Sequence, residues 1–521
     1  MVLILIIGGA LGWLKHRADV QREAVAAIRG GGGRVSYDWE VTRRGDGWLA
    51  RKPNAQPPGP RWLVDRLGPD YFANVVDVLI GVGDADAVMP HVGRLSHLER
   101  LMITPRGRAM TDAGLAHLRG LTELRDLYQE DPGITGAGLV NLKGMTKLQT
   151  LRLPRVMPLT DADLASLSGL TDLEDLTIGR PGTGNPGISD AGLVHLEGLV
   201  KMSSLALVGS RVTGAGLAHL RGMTGLTHLN LHATRVDDLA TIAHINKIES
   251  LMLTGTPMDD EGLAPIAGFR MLRTLYLAET QVGDAGLAYL EKLDRVVRLD
   301  LASTSITDQG LAHLEGLKKL IHLRLSDTRV TDAALAHLRG LTALQSIRLE
   351  NTAVTDDGLA HLSELTALQS VWLAKTAVTG DGLALLTGLP ALNMLVLSDT
   401  KINDNALKNL AGLKRMRGLW LDHTPVTDAG LAQLAGLTGL RTLSLRGTAV
   451  TDAGLVHLAK LSALTRLDLG GTQVSDAGLA HLTGLKALSE LVIDRESVTD
   501  AGLTALRTSL PRLKVSLLNR P

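Results

Sequence analysis

The apolar residues of residues 426–449, VTDAGLAQLAGLTGLRTLSLRGTA, change their spacing partway through the stretch. Leucines recur first at every third position and then at every second, at Leu431, Leu434, Leu437, Leu440, Leu443 and Leu445. A spacing near 3.6 residues indicates one face of a helix, and a spacing of two indicates a strand with one buried side. The stretch therefore predicts a short helix, a tight turn and a very short strand. Thr427 and Asp428 precede the helical part, where a hydroxyl caps free N–H groups and a carboxylate favours the helix dipole.

This stretch recurs along most of the chain. The residue that opens each helix lies at Gly83, Thr111, Thr135, Thr160, Ser189, Thr213, Asp237, Asp259, Gly283, Thr307, Thr331, Thr355, Thr379, Asn403, Thr427, Thr451, Ser475 and Thr499. From Asp259 onward the period is 24 residues. Earlier repeats are less regular, and extra residues near 154–158 and 179–187 are predicted to form loops after a strand. A fixed period of this length is typical of a solenoid, in which stacked neighbours supply each other's core. We predict an α/β solenoid of about 17 repeats over residues 81–521, with a closing strand near its end.

The N-terminus differs from the repeats. Residues 1–14 are almost entirely apolar and predict a membrane anchor or signal-like segment, although 13 apolar residues, 2–14, form only about 20 Å of helix against a bilayer core of about 30 Å. Residues 15–33 predict a basic juxtamembrane helix followed by a glycine linker. The expected localisation is therefore membrane-associated through a single N-terminal anchor, and the side of the membrane stays open.

Residues 34–80 are predicted to form an N-terminal cap over the first open end of the repeat core. Aromatic residues are concentrated in this region, at Trp39, Trp48, Trp62, Tyr71 and Phe72. The segments 34–41 and 48–52 flank a turn-rich sequence and predict a small hairpin.

Composition narrows the possible functions. The formal net charge is zero and there is no cysteine, which excludes disulfides, thiolate zinc sites and cysteine nucleophiles. Lysine and arginine are not gathered into a basic face with aromatic residues between them, so nucleic acid is not an expected partner. The sequence contains no nucleophile–base arrangement, no phosphate-binding glycine loop and no metal-ligand spacing. We therefore predict no catalytic residue, no cofactor, no metal and no small-molecule substrate.

Two polar columns run through the helices. Histidine recurs before the second helix leucine at residues 117, 195, 219, 244, 313, 337, 361, 457 and 481. Aspartate recurs just after the helix cap at residues 112, 161, 190, 260, 284, 308, 332, 356, 404, 428, 452, 476 and 500. One residue per repeat forms a row, whereas a metal needs converging ligands. We interpret the histidines as repeated surface residues and the aspartates as partners of the helix dipole.

The strand pattern L-x-x-L-x-L-x-x-T, as in Leu440, Leu443, Leu445 and Thr448, resembles that of the leucine-rich repeat superfamily. The following I/V-T-D-x-G-L is most similar to the cysteine-containing subtype of F-box leucine-rich proteins, in a bacterial-type chain. The resemblance implies a parallel sheet on a concave face and short helices on a convex face. Threonine stands where that family has asparagine or cysteine, and we expect its hydroxyl to bond the backbone of the turn. No F-box-like segment precedes the repeats.

One column of the strands varies where the rest of the repeat does not. In leucine-rich repeats the residue between the two inner strand leucines lines the concave sheet. Four of the six aromatic residues beyond residue 80 lie in this column, at Tyr128, Tyr276, Trp372 and Trp420. Tryptophan and arginine dominate protein interfaces because they bury large areas and make directional contacts. The predicted partner-binding residues are Tyr276, His322, Arg324, Arg348, Trp372, Lys375, Val396, Trp420, Asp422 and His423.

The sequence therefore predicts a membrane-tethered, non-catalytic module that binds a protein partner on its concave sheet. One alternative is a self-associating scaffold of the cell envelope. Two others are a substrate adaptor of a ubiquitin-ligase type complex and the regulatory half of an enzyme.

Overall fold

The computed structural model describes residues 2–44, 49–81, 83–104, 110–130, 133–153, 159–179 and 186–519, without the side chains of residues 2–7. The predicted loops near 154–158 and 179–187 lie largely outside these residues, as does Trp48. The chain forms two compact units, residues 1–256 and 257–521, which are described separately.

The first unit alternates short helices with short strands. Its strands are β1 Arg34–Tyr37, β2 Val41–Arg43, β3 Leu49–Arg51, β4 Val75–Ile80, β5 Arg100–Ile103, β6 Asp126–Gln129, β7 Thr150–Leu153, β8 Asp175–Ile178, β9 Ser204–Leu207, β10 His228–Asn230 and β11 Ser250–Met252. Its helices are α1 Val2–Gly30, α2 Arg61–Leu67, α3 Ala85–Val92, α4 Asp112–Ala116, α5 Gly136–Leu139, α6 Asp161–Leu164 and α7 Asp190–Leu193. Its 3₁₀ turns are Pro69–Tyr71, Val140–Leu142, Ala165–Leu167, Val194–Leu196, Gly216–Leu220 and Ala240–Ile242. Strands β4 to β11 pair in parallel in chain order.

The second unit repeats the same alternation with greater regularity. Its strands are β12 Thr274–Tyr276, β13 Arg298–Asp300, β14 His322–Arg324, β15 Ser346–Arg348, β16 Ser370–Trp372, β17 Met394–Val396, β18 Gly418–Trp420, β19 Thr442–Ser444, β20 Arg466–Asp468, β21 Glu490–Asp494 and β22 Lys514–Leu518. Its helices are α8 Asp260–Leu263, α9 Asp284–Leu287, α10 Asp308–Leu311, α11 Asp332–Ala336, α12 Asp356–Leu359, α13 Leu383–Leu386, α14 Asp404–Lys408, α15 Asp428–Leu434, α16 Asp452–Leu455, α17 Asp476–His481 and α18 Asp500–Ser509. Its 3₁₀ turns are Ala264–Gly268, Ala288–Leu290, Ala312–Leu314, Ala360–Leu362, Asn409–Gly412, Val456–Lys460 and Arg495–Ser497. Strands β12 to β22 also pair in parallel in chain order.

The predicted alternation of helices and parallel strands is confirmed, and the leucines hold it together. Leu431, Leu434, Leu443 and Leu445 are all fully buried. Each buried leucine contributes roughly 1.5–3 kcal/mol of hydrophobic stabilisation. A single repeat cannot bury both its helical and its strand leucines, so the stacked neighbours are part of every core.

The threonine that closes the strand turn bonds the backbone, as the sequence predicted. The Thr448 hydroxyl donates to the Leu445 carbonyl oxygen at 2.6 Å, and the same bond recurs at Thr424 and Thr472. These threonines are buried, and the bond satisfies a hydroxyl that would otherwise be costly to bury. The bond lies within one repeat, so this column closes each turn without linking neighbours.

The aspartate column has a role that the sequence interpretation missed. Asp404 accepts hydrogen bonds from the Thr427 backbone N–H at 2.8 Å and from the Thr427 hydroxyl at 2.6 Å. Asp428 receives the same two bonds from Thr451, one repeat further along. Each carboxylate therefore holds the helix cap of the following repeat, and this pair of bonds is called here the threonine–aspartate clasp. The helix-dipole interpretation alone does not account for this link between repeats.

Helix α1 overturns the predicted membrane anchor. Among the described residues, no helix is both long enough and apolar enough to cross a membrane. The apolar run continues without a break into charged residues at Lys15, Arg17 and Asp19 within the same helix. The predicted N-terminal anchor of residues 1–14, the signal anchor and the membrane-associated localisation are therefore wrong.

The second half of α1, which was predicted to be a basic juxtamembrane helix, packs into the folded body of the first unit. Ala24 and Ile28 are fully buried, and α1 packs against α3, β1 and the turn at 69–71. The buried Gln21 amide donates to the Asp70 carboxylate and to the Ala73 carbonyl oxygen, both at 3.0 Å.

The strands that follow α1 pair differently from the predicted hairpin. Strand β1 joins the main sheet antiparallel to β4, with Arg34 opposite Leu79. The short strands β2 and β3 pair with each other instead, with Val41 opposite Arg51. The sheet therefore gains one antiparallel strand beside its first parallel strand.

Candidate functional site

The predicted site residues of the varying column lie in one row on the outer face of the second unit's sheet. Strand pairing places Tyr276, Asp300, Arg324, Arg348, Trp372, Val396, Trp420 and Ser444 opposite one another in turn. Side chains alternate between the two faces of a strand, so the buried Leu419 points into the core while Trp420 points away from it. The period-two pattern thus fixes which side chains share the outer face.

Trp372 and Trp420 stack on each other across the intervening strand. Their ring centroids are 6.3 Å apart and their ring planes differ by 19°. Two strand spacings separate their backbones by about 10 Å, so the rings lean towards each other above Val396. Val396 is 6% exposed. Both indole rings are only partly buried, which leaves apolar surface open to solvent.

Gly418 makes this stack possible, and the sequence interpretation missed it. A Cβ atom at Gly418 would lie 2.6 Å from Cζ3 and 2.8 Å from Cη2 of Trp420. The Trp420 ring therefore lies across the position that a side chain would occupy on the same face of the strand. A glycine inside a strand, where neighbouring repeats carry side chains, is the signal that would have revealed this contact.

Arg348 extends the stack by one strand. Its guanidinium carbon lies 3.9 Å from the centroid of the Trp372 ring, which is a cation–π contact. Glu350 lies 3.9 Å from the Arg348 guanidinium and accepts a hydrogen bond from the Ser326 hydroxyl at 2.5 Å. The term indole stack is used here for Arg348, Trp372 and Trp420, with Val396 on the strand between the two tryptophans.

An open pocket of about 360 Å³ adjoins the indole stack and contains Tyr276, His322 and Arg324 in its lining. Arg324 pairs with the buried Asp300 carboxylate at 2.8 Å. Burial lowers the pKa of His322, and the nearby positive charge of Arg298 lowers it further. His322 is therefore neutral near pH 7, and the positive charge of the pocket lies on its arginines.

The remaining predicted site residues lie at the ends of the strands. Asp422 accepts hydrogen bonds from the Ser398 hydroxyl at 3.0 Å, from the Ser444 hydroxyl and from the Arg446 N–H at 3.1 Å. It is therefore held by its own neighbours. Lys375 and His423 both have left-handed backbone conformations, with φ of 56° and 54°, in the turn after their strands. The structure brings these three residues to the rim of the row and leaves the indole stack at its centre.

The histidine column forms pairs along the surface. His219, His313 and His337 lie 2.5, 2.6 and 2.7 Å from glutamates of the preceding repeat, Glu197, Glu291 and Glu315. Within the described ranges, no group of three or more acidic or histidine side chains is placed to hold a metal ion. The column is therefore a surface row that links neighbouring repeats.

Comparisons with known proteins address the fold. A family model described as Leucine Rich repeat matches residues 461–482. No curated protein matches the chain. An internalin, inlF, from Listeria monocytogenes is 23% identical with a TM-score of 0.50, and the match covers 62% of this chain and 89% of that one.

Two further solved structures match over a larger share of this chain. The leucine-rich repeat protein LIC12759 of Leptospira interrogans is 15% identical with a TM-score of 0.47, over 82% of this chain and 92% of that one. The ectodomain of the receptor kinase GASSHO1/SCHENGEN3 from Arabidopsis thaliana is 15% identical with a TM-score of 0.44, over 84% and 63%. The parallel strands, the family model and the internalin structure agree, and the predicted architecture is confirmed: the chain has the leucine-rich repeat fold.

Proposed function

We propose that this chain is a non-catalytic module that binds a protein partner on the outer face of its second unit's sheet, with the indole stack as the anchor. The stack supports this proposal because it places two large apolar rings and a guanidinium together on an open surface. Tryptophan and arginine at the centre of an interface typically contribute most of its binding energy. Exposed indoles on a sheet otherwise reduce solubility.

The surrounding row supports a macromolecular partner. From Tyr276 to Trp420 the row crosses seven strands, or about 29 Å at about 4.8 Å between strands. An interface of standard size requires about 800 Å² from each partner, and a surface of this length is sufficient for that. The partner that fits presents an apolar or aromatic side chain to the stack and a carboxylate to Arg324 or Arg348.

The polar columns support the absence of bond chemistry. Aspartates of the helix column such as Asp404 are engaged in clasps, and His219, His313 and His337 are paired with glutamates. We also propose that the repeats are of the cysteine-containing subtype and of bacterial type. The threonine hydroxyl that bonds the turn backbone stands at the position of that subtype's cysteine.

The test is the double variant Trp372→Ala with Trp420→Ala. Partners captured on the immobilised chain are quantified by mass spectrometry, and the affinity of the chain for an enriched partner is then measured by titration. Loss of two interface anchors is expected to weaken binding by at least about 2 kcal/mol, or roughly 30-fold. The exciton signal of the two indoles is expected to be lost from the circular dichroism, whereas the backbone signal is expected to be unchanged because both rings lie on the outer face.

Tyr289→Ala is the matched control, because Tyr289 is a partly exposed aromatic residue in a helical turn rather than in the row. Retained partner affinity in the double variant would contradict the proposal. Sedimentation tests the scaffold alternative. A concentration-dependent oligomer that dissociates in the double variant would show that the stack binds a second copy of the chain instead.

A further inference from the structure

A second surface, at the end of the sheet where strands β18 and β19 begin, concentrates positive charge. Lys414 and Arg415 lie in the turn before β18, Arg417 lies directly before β18, and Arg441 lies directly before β19. These four side chains are exposed and line one open pocket of about 610 Å³. The pocket is called here the basic hollow.

Small residues create the space between these cations. Ala391, Gly439 and Ala463 line the hollow, and two of them occupy the position of Arg415 in the next repeats along the chain. The Arg441 backbone N–H bonds the Arg417 carbonyl oxygen at 2.8 Å, so the two arginines stand on adjacent strands. Their backbones are about 4.8 Å apart, and like charges in such positions repel each other. The arrangement costs stability unless an anion lies between them.

The protein supplies no such anion. Within the described part of the chain, none of the four side chains forms an ion pair or a hydrogen bond. Two cations of the first unit at the position of Arg415 are paired with carboxylates of the preceding repeat. Lys147 pairs with Glu123 at 2.6 Å, and Lys201 pairs with Asp172 at 2.6 Å. Among the described residues, the basic hollow has no such carboxylate, and it differs from the exposed Lys318 and Lys319 because four cations line one pocket.

The charge is confined to two repeats. Arg417 and Arg441 occupy the position directly before the strand. In the two preceding repeats this position holds Gln369 and Asn393, and in the two following repeats it holds Thr465 and Ser489. A long polyanion such as nucleic acid requires a continuous basic track, and these neutral side chains interrupt it. A guanidinium fork binds two oxygens of a phosphate or sulfate at once, and a lysine adds a point charge.

We propose that the basic hollow binds a compact ligand that carries at least two phosphate or sulfate groups. Arg417 and Arg441 each grip one oxyanion group, and Lys414 and Arg415 neutralise the remaining charge. This surface lies where the strands begin and uses no residue of the indole stack, so the inference stands independently of the proposed partner.

Titration calorimetry of the full chain with pyrophosphate and with sucrose octasulfate tests the proposal. One saturable site is expected, with an affinity that falls as salt is added. The variant Arg417→Gln with Arg441→Gln is expected to weaken binding by about tenfold or more for each guanidinium removed. Inositol hexakisphosphate and inositol hexakissulfate, which share one ring and carry equal numbers of oxyanion groups, are then compared, and the tighter binder identifies phosphate or sulfate as the preferred group.

Lys318→Gln with Lys319→Gln is the matched control. These exposed lysines occupy the positions of Lys414 and Arg415 four repeats earlier, where Ile321 and Gln345 replace the two arginines. The control is expected to bind both probes within about twofold of the unmodified chain, because it retains the four cations of the hollow. The proposal is overturned by an equal loss in both variants, by no saturable binding of either probe, or by tighter binding of a short polyaspartate peptide. Thermal unfolding of each variant confirms that these exposed substitutions leave the fold intact.

Discussion

At the scale of single residues, the conformation of the indole stack depends on a residue that has no side chain. The Trp420 ring occupies the space above Gly418, and this position brings it within stacking distance of Trp372. Stacked aromatic pairs contribute about 0.5–1.5 kcal/mol beyond the burial of their surface. The contact with the Arg348 guanidinium adds to the attraction at the other face of the stack. Contacts within the chain therefore fix the orientation of the two rings in the absence of a partner.

Gly418→Ala is predicted to separate binding from stability. The new Cβ atom forces the Trp420 ring to move, so the circular dichroism exciton signal of the paired indoles should fall and partner affinity should drop. The strand itself should be unchanged or slightly more stable, because glycine in a strand interior is unfavourable. Gly388→Ala is the control, since its nearest neighbouring atom would be 4.0 Å from the new Cβ. An unchanged exciton signal in Gly418→Ala would show that the ring does not depend on this glycine.

At the scale of secondary-structure elements, the threonine–aspartate clasp joins short helices, most of which have only four to seven residues. Isolated helices of this length do not form in water. Thr427 caps its own helix by accepting a hydrogen bond from the Ala429 N–H at 3.3 Å, and its own N–H and hydroxyl bond Asp404. One side chain therefore starts a helix and attaches that helix to its neighbour.

Thr427→Val is predicted to lower the free energy of unfolding by about 1–2 kcal/mol, which combines the loss of a helix cap with an unmade bond to a carboxylate. The midpoint of urea unfolding measures the change. Thr438→Val is the matched control, because Thr438 is exposed and its hydroxyl forms no hydrogen bond among the described residues. Equal midpoints for the two variants would mean that the clasp contributes nothing to stability.

At the scale of the whole molecule, the clasps make stability depend on ionised carboxylates. Burial alone would raise the pKa of Asp356, but the Thr379 hydroxyl and nearby backbone N–H groups outweigh it and hold that pKa below its usual range. The Thr499 hydroxyl and backbone N–H lower the pKa of Asp476 in the same way. A pKa that is lower in the folded state stabilises the fold above the ordinary aspartate pKa, about 3.9, and this stabilisation is lost as the pH falls further.

The thermal midpoint is therefore predicted to be flat near neutral pH and to fall as the pH drops below about 4. The double variant Asp356→Asn with Asp476→Asn should be less stable at neutral pH and should lose less stability on acidification, because two of the titrating groups are gone. Calorimetric scans from pH 7 to pH 3 measure both effects. Parallel curves for the two proteins would contradict this account.

The repeat period was sufficient to predict the strands, the helices and the row of outer residues, because spacing determines which side of a strand or helix a residue occupies. It also predicted that Trp372 and Trp420 share a face. It did not predict that their rings lean together, because side-chain rotation depends on Gly418 and Val396 rather than on period. The clasp was missed because an aspartate in a first helical turn favours the dipole whether or not it bonds a neighbour.

The wrong prediction of a membrane anchor at the N-terminus has a similar cause. Residues 1–14 have the composition of a membrane anchor, but composition does not show that the helix continues to Gly30. Nor does it show that Ala24 and Ile28 pack against α3 and β1. The basic hollow was not predicted either, because it depends on small residues and cations from several repeats that meet where the strands begin.

The clasp also bears on how the number of repeats changes over evolution. Most repeats of the second unit pair a threonine or serine with the aspartate 23 residues earlier, as at Thr427, Thr451 and Ser475, so the surface that ends one such repeat fits the start of another. Removal of residues 427–450 would bring Thr451 to the place of Thr427, opposite Asp404, with the same pair of bonds. Recombination between repeats would then shorten or lengthen the array in steps of 24 residues without leaving a clasp aspartate unpaired. A step next to the indole stack would also change which outer side chains stand beside Trp372 or Trp420, and so would change partner specificity without altering the core.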